Sequence, residues 1–391
     1  MEVAVVGGGI TGLFAARYLR AEGAGVTLFE QTRPGAGSVH AAGILEGHNY
    51  YTINNLRYLR RAYRYLANGS SRFRRVDRRW LGQYLRHFGD ELRPEDLART
   101  GELGRTSLEE YRRLAEEEND FGFLVGGLEE RYDRASLFRD ALRNHEDRST
   151  GERVEVTENG RGGGSLLYPD MGWLDTDRCV QRLVRDLQGV RWERAEVTRI
   201  ELNGTLSTGG APHRFDRVVV TAGIACRKMG LPITAVKGYG WKSLGKPPVS
   251  RATIFADWGI AAVPLDGVTK VTGGWDFTFA PGPAGAQRLW ARARRLMELS
   301  AEARVEEGYR PATPDGLPLV GRRGNVAVAT GGFRLGWSFG PGLARHAVGL
   351  VLDRDREDPF LARFMRNLRE GTLAGGFPTV PVPSPPQRTA Q

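Results

Sequence analysis

Residues 1–30 read MEVAVVGGGITGLFAARYLRAEGAGVTLFE and decide the fold of this chain. The run Glu2–Val6 is rich in β-branched residues, residues 13–22 have helical spacing, and residues 26–30 form a second β-rich run. Between the first strand and the helix stands Gly7-Gly8-Gly9-Ile10-Thr11-Gly12, which has the spacing G-x-G-x-x-G. The order strand, glycine turn, helix, strand is typical of a dinucleotide-binding unit.

Each glycine of this motif has its own physical task. Gly7 permits the tight turn, Gly9 lets the backbone approach a pyrophosphate, and Gly12 allows the helix to pack closely on the strand. The amide groups at the start of the helix then face the phosphates, and Glu30 ends the second strand, where its carboxylate can accept hydrogen bonds from ribose hydroxyls. The predicted dinucleotide-binding residues of this region are Gly7, Gly9, Ile10, Thr11, Gly12, Glu30 and Gln31.

A glycine-rich stretch near the carboxyl end favours FAD over NAD as the dinucleotide. Residues 330–337 read TGGFRLGW and lead through Gly340-Pro341-Gly342 into a helix predicted over residues 343–352. Backbone amides in such a turn can close on a flavin and stabilise negative charge on its reduced ring. The chain has no second G-x-G-x-x-G motif. A plain loop before a helix would, however, have a similar composition.

Residues 307–318, EGYRPATPDGLP, contain the best candidate for a substrate ligand. Pro311 restricts Arg310 to an extended backbone, which can hold its guanidinium in one direction. A planar fork of donors suits bidentate capture of a carboxylate. A surface arginine beside a proline turn would have the same local sequence, so both interpretations stay open at this point.

The composition is that of an ordinary globular protein, with 40% hydrophobic and 26% charged residues among 391. No window approaches the ~18 uninterrupted apolar residues of a membrane-spanning helix. The start of the chain lacks the features of a secretory signal, so a cytoplasmic location is expected. Cys179 and Cys226 have no metal-ligand spacing and are predicted to be reduced and buried. Six scattered histidines predict no metal site.

The net charge is +10, and the basic residues are mostly arginines. They are densest in residues 57–79, where Tyr58, Tyr63, Tyr65 and Phe73 alternate with them. A solvated helix face and peripheral docking on acidic lipid or on a partner protein both fit this stretch. No zinc knuckle, helix-turn-helix or RNA-binding signature accompanies the charge, so nucleic acid is not an expected partner.

These stretches together resemble the D-amino acid oxidase-like superfamily of FAD-dependent oxidoreductases. That family has the same glycine motif and acidic strand end, and small residues like those of Gly35-Ala36-Gly37-Ser38 and Ala41-Ala42-Gly43 along its flavin. Its cofactor-contacting valine in an antiparallel strand corresponds to Val197, and its apolar strand before a glycine corresponds to residues 218–223. The further cofactor-binding residues that the resemblance implies are Ser38, Ala42, Gly43, Val197, Ala222, Gly223, Gly331, Gly332, Arg334, Leu335, Gly336 and Trp337.

Within the superfamily, Val236-Lys237-Gly238-Tyr239 and Leu335-Gly336-Trp337 are similar to the bacterial D-amino acid dehydrogenases of the small-subunit type. Glycine oxidases share the arginine stretch. The resemblance implies that Arg310 binds the substrate carboxylate and that Tyr239 or Trp337 walls the side-chain pocket, which makes these three the predicted catalytic residues. Sarcosine oxidases carry a flavin-linked cysteine where neither cysteine of this chain lies, so noncovalent FAD is expected.

The implied activity is oxidative deamination of a small D-amino acid to the 2-oxo acid, by hydride transfer from Cα to flavin N5. The electrons would pass to a quinone or dye-type acceptor. The alternative is oxidation of proline, sarcosine or glycine by the same fold, as an oxidase or as one subunit of a complex. A flavin-binding protein without turnover is a third interpretation, although it would not need a carboxylate ligand. Enantiomer, acceptor and oligomeric state stay open.

The predicted fold class is α/β, with a Rossmann-like, discontinuous FAD-binding domain of the glutathione reductase type and a smaller mixed-sheet α+β substrate domain. The FAD-binding domain is predicted over residues 1–90, 172–235 and 305–376. The substrate domain is predicted over residues 91–171 and 236–304, and residues 377–391 form a flexible tail rich in Pro, Ser and Thr.

Overall fold

The computed structural model describes residues 1–47, 50–146, 153–300 and 303–369, together with a short strand at Gly371–Thr372. The predicted tail at 377–391 lies outside these residues. The described α-helices are α1 (Ile10–Ala21), α2 (Leu56–Ala67), α3 (Arg78–Arg86), α4 (Pro94–Glu117), α5 (Ala135–Glu146), α6 (Thr176–Asp186), α7 (Ala286–Leu296) and α8 (Gly336–Val351).

The described strands range from two to eleven residues. They are β1 (Glu2–Val6), β2 (Gly25–Phe29), β3 (Ile44–Leu45), β4 (Leu128–Tyr132), β5 (Glu155–Glu158), β6 (Gly164–Tyr168), β7 (Gly172–Trp173), β8 (Arg191–Glu193), β9 (Arg199–Ile200), β10 (Thr205–Ser207), β11 (His213–Arg214), β12 (Arg217–Val220), β13 (Thr234–Leu244), β14 (Ala252–Phe255), β15 (Ile260–Leu265), β16 (Val268–Phe277), β17 (Glu306–Ala312), β18 (Leu319–Arg323), β19 (Val326–Thr330) and β20 (Gly371–Thr372).

The first layer is a six-stranded sheet in the order β18-β19-β12-β1-β2-β8, in which all strands but β18 are parallel. Alternate side chains of β1 enter two different apolar cores, Val3 and Val5 on one face and Ala4 and Val6 on the other. This two-sided burial explains why the strand is continuously apolar. Helices α1, α4, α6 and α8 contribute to the first of these cores.

The second layer is an eight-stranded mixed sheet in the order β17-β13-β16-β15-β14-β4-β6-β5. Most of its pairs are antiparallel, and β14 pairs with β4 in parallel. The two sheets confirm the predicted class of a Rossmann-like α/β domain with a second, mixed-sheet domain. A four-stranded sheet of β11, β10, β9 and β20 and a β3–β7 pair complete the described strands.

Two elements pack in a different layer from the domain in which the sequence analysis placed them. Strand β17, which carries Arg310, pairs with β13 and so belongs to the eight-stranded sheet rather than to the dinucleotide-binding sheet. Helix α4 buries Leu103, Tyr111 and Leu114 in the core that α1 and α8 share. The pairing of β17 is a long-range contact, which local sequence patterns do not encode.

The prediction of a glycine turn through residue 342, followed by a helix from 343, was wrong. After a short 3₁₀ turn at Phe333–Leu335, α8 begins at Gly336 and includes Gly340, Pro341 and Gly342. A Cβ at Gly342 would overlap the carbonyl oxygen of Leu103 in α4, and one at Gly340 would lie 3.1 Å from Ile10 in α1. These glycines therefore serve close helix packing, and not a turn.

The strand predicted around Val197 is also absent. Strand β8 ends at Glu193 and β9 begins at Arg199, so Val197 lies in the connection between them. The apolar alternation in residues 191–202 comes from burial of Val197 and Ile200 in one core rather than from a continuous strand.

Candidate active site

The predicted cofactor-binding segments meet at one edge of the six-stranded sheet. Strands β1, β2, β12 and β19 are adjacent and parallel, so their carboxyl ends share this edge. Gly7 follows β1, Glu30 follows β2, Ala222 and Gly223 follow shortly after β12, and Gly331 and Gly332 follow β19. The carboxyl edge of a parallel sheet is where such folds bind ligands.

The turn between β1 and α1 has the geometry of a phosphate-binding loop. Gly7 has φ 103°, and a Cβ there would lie 2.8 Å from the carbonyl oxygen of Thr221. A Cβ at Gly12 would overlap the carbonyl oxygen of Gly7. Gly9 caps α1 without a side-chain hydrogen bond, and the first turn of the helix contains no acidic residue. Because the amides of a first helical turn have no intrahelical acceptor, this end fits a pyrophosphate.

Glu30, the predicted ribose ligand, lies beside the glycine turn. Its Oε2 accepts a hydrogen bond from the Gly8 amide at 2.8 Å, and its Oε1 accepts from the amide and hydroxyl of Thr32. These bonds hold the carboxylate beside the glycine turn. Gln31 follows directly and is half-buried.

The segment of small residues at 35–43 lies against the start of α1. The Ser38 hydroxyl accepts a hydrogen bond from the Ile10 amide at 3.0 Å, and the Ser38 carbonyl accepts one from the Trp337 indole at 3.0 Å. Gly43 has φ 82°, and a Cβ there would overlap the Leu174 carbonyl oxygen. Ala42, which directly precedes Gly43, is half-buried. The glycines of this segment therefore let the backbone pass close to neighbouring backbone at this edge of the sheet.

Arg334, a predicted cofactor-binding residue, forms an ion pair within the protein. Its Nη1 donates to both carboxylate oxygens of Glu46, at 2.8 and 2.9 Å, and its guanidinium lies 4.3 Å from the ring centroid of Tyr51. Burial raises the pKa of Glu46, an effect that the nearby Arg334 opposes. The pair bridges the turn before α8 and the segment after β3. Leu335, also a predicted cofactor residue, is buried in the core of this layer.

Arg310 has a different environment. Its guanidinium lies across β13 at Gly238, where a Cβ would overlap it, and stacks on Trp275 of β16 at 4.6 Å from the ring centroid. Nη1 donates to the carbonyl oxygen of Gly274 at 2.8 Å. Among the described residues, Arg310 forms no salt bridge with a carboxylate, and burial lowers its pKa below the usual arginine value. A guanidinium held in this way is suited to a carboxylate brought by a substrate.

A narrow aromatic cavity of about 10 Å³, which the sequence did not reveal, is lined in part by Trp275, the residue on which Arg310 stacks. Its lining is mainly aromatic and includes one further arginine: Tyr51, Tyr58, Arg61, Ala62, Tyr65, Ser71, Trp275 and Phe277. Phe333 makes an edge-to-face contact with Trp275, with ring centroids 5.9 Å apart. Tyr58 and Tyr65 belong to the arginine-rich stretch at residues 57–79, for which the sequence suggested either a solvated helix face or a docking surface. Their spacing of seven residues, which places both on one face of α2, was the only sign in the sequence that they point inward.

Tyr239 and Trp337 both make close contacts within the protein. The Tyr239 hydroxyl donates to Asp276 Oδ2 at 2.7 Å and accepts from Arg72 Nη2 at 2.7 Å, and the residue is almost fully buried. Trp337 is buried in the core of the dinucleotide-binding layer, next to Tyr111. These contacts give both residues structural partners, and their predicted catalytic roles stay predictions.

Replacing Tyr239 with phenylalanine distinguishes a structural role of its hydroxyl group from a catalytic one. The change removes the hydrogen bonds of the hydroxyl group with Asp276, Arg72 and the Ala284 carbonyl, while Asp276 keeps Arg72 as its ion-pair partner. We expect a loss of about 1–2 kcal/mol in unfolding free energy and a kcat/KM within about threefold of the original value, because the hydroxyl faces Asp276. Denaturant unfolding and anaerobic flavin reduction measure the two quantities. Tyr309→Phe, which loses one bond to the Ala280 carbonyl, is the matched control. A tenfold lower kcat/KM with unchanged stability would place Tyr239 on the substrate.

Both cysteines are free and fully buried, as predicted. Burial raises the pKa of the Cys226 thiol to about 12 and that of Cys179 still further. A thiol with a raised pKa is a poor nucleophile, which supports the prediction of noncovalent FAD. Within the described residues, no three His, Cys, Asp or Glu side chains are placed to share a metal ion. No helix of the same residues is long and apolar enough to cross a membrane.

Comparison with known proteins agrees with this geometry. The family model described as DAO, FAD dependent oxidoreductase, matches residues 2–350. The chain is 37% identical to the D-proline dehydrogenase of Pyrobaculum islandicum, over 94% of this chain and 100% of that protein. It is 27% identical to the D-amino acid dehydrogenase of Methylobacterium nodulans, over 91% of this chain and 96% of that one.

A solved structure shares the fold. The crystal structure of glycine oxidase from Geobacillus kaustophilus superposes with a TM-score of 0.68 at 21% identity, over 92% of this chain and 97% of that chain. Together with the glycine turn, Glu30 and the other segments at the sheet edge, these matches give the cofactor as FAD. The chain therefore belongs to the DAO family of FAD-dependent oxidoreductases and is an amino acid dehydrogenase or oxidase that acts on amine groups.

Proposed function

We propose that this enzyme oxidises the carbon–nitrogen bond of a small, apolar D-amino acid, with D-proline as its preferred substrate. The observation that carries the proposal is Arg310, a half-buried guanidinium that has no carboxylate partner among the described residues and adjoins an aromatic cavity. The substrate carboxylate would complete the ion pair, because a charge that is partly removed from water gains from a partner of opposite sign.

The aromatic lining of the cavity favours an apolar substrate ring. Tyr58, Trp275 and Phe277 offer flat surfaces on which a pyrrolidine ring can pack once side chains move to widen the cavity, whose volume is about 10 Å³ in this structure. The full-length similarity to a protein named D-proline dehydrogenase supports this choice and is the basis for the D enantiomer. Arg310 would hold the carboxylate in one orientation, so that the Cα–H bond faces one side of the site.

Bound FAD supplies the acceptor for the hydride that leaves Cα. The protein contributes orientation, through Arg310, and exclusion of water, through the aromatic side chains. A secondary amine such as proline yields a cyclic imine, with the amine proton passing to solvent. A primary amine yields an imine that hydrolyses to the 2-oxo acid and ammonia. This deamination is the second candidate, supported by the similarity to the D-amino acid dehydrogenase of Methylobacterium nodulans. A quinone or dye-type acceptor for the electrons is part of the proposal.

The test is anaerobic bleaching of the flavin by D-proline, L-proline, D-alanine, glycine and sarcosine in turn. We expect D-proline to reduce the flavin at least about a hundredfold faster than L-proline, because the L enantiomer cannot place its carboxylate on Arg310 and its Cα–H on the same side. Equal rates for the two enantiomers would contradict the D assignment. Faster bleaching by D-alanine would favour the deamination of primary amines, and rapid recovery of colour in air would favour an oxidase.

A further inference from the structure

The exposed apolar side chains of this protein are concentrated in one region. Thirteen large hydrophobic side chains are exposed in the described part of the chain, and eight of them lie within residues 56–88. This docking segment carries Leu56, Leu59, Tyr63, Leu66, Phe73, Leu81, Leu85 and Phe88 on its outside. Concentrated exposed apolar surface marks an interaction site rather than ordinary surface composition.

Helical spacing arranges these residues as stripes. On α2, Leu56, Leu59, Tyr63 and Leu66 follow at intervals of three, four and three residues, which places them on one face. The opposite face contributes Tyr58 and Tyr65 to the aromatic cavity. Helix α2 therefore has two apolar faces, and only the inner one is covered by other residues that the structure describes.

Helix α3 repeats the arrangement. Leu81 and Leu85, with Phe88 just beyond the helix, lie three to four residues apart on the exposed side. Its inner face buries Trp80 and Tyr84 in the cluster that contains Phe277 and is contacted by Tyr58 of α2. Because both helices cover the same inner cluster, their outer stripes belong to one layer over the cavity.

The charge around these stripes is strongly positive. Residues 56–88 contain ten arginines and a single acidic residue, Asp77. Six of these arginines are exposed and form no salt bridge with another described residue: Arg60, Arg74, Arg75, Arg78, Arg79 and Arg86. The surface therefore offers uncompensated guanidinium groups next to unburied leucines.

We infer that the docking segment binds the surface of a lipid bilayer that contains anionic headgroups. Leucine and aromatic side chains would enter the boundary between headgroups and acyl chains, while the arginines pair with lipid phosphates, as on interfacial amphipathic helices. A nucleic acid would satisfy the arginines and leave the leucines in water. Pairing with a second copy of this face would bury the leucines and bring like charges together.

This orientation turns the aromatic cavity toward the membrane. Tyr58 and Arg61 line the cavity from the inner face of the same helix whose outer face would contact lipid. A membrane-dissolved electron acceptor would then reach the protein on its cavity side. The docking itself does not depend on the identity of the substrate.

The test measures co-sedimentation of the FAD-loaded full chain with vesicles at low ionic strength. We expect binding to phosphatidylcholine vesicles that contain phosphatidylglycerol, weaker binding as salt increases, and little binding to phosphatidylcholine alone. The variant with Arg60→Gln, Arg74→Gln and Arg75→Gln should bind roughly a hundredfold more weakly, at about fivefold per arginine. The variant with Leu59→Ser and Tyr63→Ser should also bind these vesicles at least about tenfold more weakly than the original protein.

The controls are Leu244→Ser and Arg295→Gln, which change exposed residues outside the docking segment and should bind like the original protein. The flavin spectrum and activity with a soluble dye should be unchanged in every variant, which shows that each is folded. Absence of binding to anionic vesicles, or equal binding by the segment variants and the controls, would overturn the inference. So would a dimer of the original protein that the Leu59→Ser, Tyr63→Ser variant dissolves.

Discussion

Replacing Arg310 with alanine is expected to lower kcat/KM for D-proline on the order of a thousandfold, which corresponds to about 4 kcal/mol. The substrate carboxylate would enter a cavity walled by aromatic side chains without its ion-pair partner. The measurement is anaerobic flavin reduction at varied substrate concentration, with the FAD content of the variant recorded from its visible spectrum. Because Arg310 lies in β17 rather than in the FAD-binding layer, we expect that content to stay unchanged.

Arg292→Ala is the matched control for this prediction. Arg292 also stacks on a tryptophan, Trp258 at 4.0 Å, and also donates to a backbone carbonyl, that of Asn68. Its loss should leave kcat/KM within about threefold, since the two arginines differ in whether they adjoin the aromatic cavity. Arg310→Lys keeps the charge and loses the planar fork, so an intermediate loss is expected. A near-native kcat/KM for Arg310→Ala would show that another group binds the carboxylate.

Replacing Gly12 with alanine is expected to abolish FAD binding, and with it all activity. The new Cβ would overlap the Gly7 carbonyl oxygen and lie 2.7 Å from Thr221 Oγ1, so α1 must move away from β1. Alanine improves helix propensity by about 1 kcal/mol, but such overpacking costs about 3 kcal/mol. A net destabilisation of about 2 kcal/mol and a displaced phosphate-binding turn should follow.

Flavin absorbance after purification and the denaturant midpoint measure the two effects at Gly12. Gly37→Ala is the control, because Gly37 belongs to the segment of small residues along the cofactor edge, is exposed, and would leave its new Cβ with no other atom within 4 Å. That variant should keep its FAD and change stability by less than about 0.5 kcal/mol. Full FAD occupancy in Gly12→Ala would mean that the helix can shift without disturbing the turn.

Residues close together in the chain explain the part of the site that could be predicted. The glycine turn, Glu30 and the strands around them form one local unit, whose spacing follows from the geometry of a strand, a turn and a helix. The second glycine stretch follows β19 at the same sheet edge as the first, but its helix, predicted from residue 343, begins at Gly336. Glycine in a sequence indicates equally a turn or a close helix contact, and only the presence of Leu103 beside Gly342 decides between them.

The substrate side of the site depends instead on residues that are far apart in the chain. Arg310 was recognisable from its proline and from the family resemblance, yet its direction depends on Gly238 and Trp275, which lie on two other strands. Tyr58 and Tyr65 face a cavity while Tyr63 faces outward, and the sequence between residues 57 and 79 leaves both arrangements open. Local spacing describes a helix face but not what covers it.

The sequence by itself determined the FAD-binding unit, the two-layer α/β class and the candidate carboxylate ligand. These properties depend on residues a few positions apart or on one strongly restricted dipeptide. The tertiary structure alone decided that Arg310 stacks on Trp275 without a carboxylate partner among the described residues, that Arg334 is paired with Glu46, and that Tyr239 is bound to Asp276. Such pairings join residues from distant parts of the chain, and their energies depend on burial, which exists only once the sheets have formed.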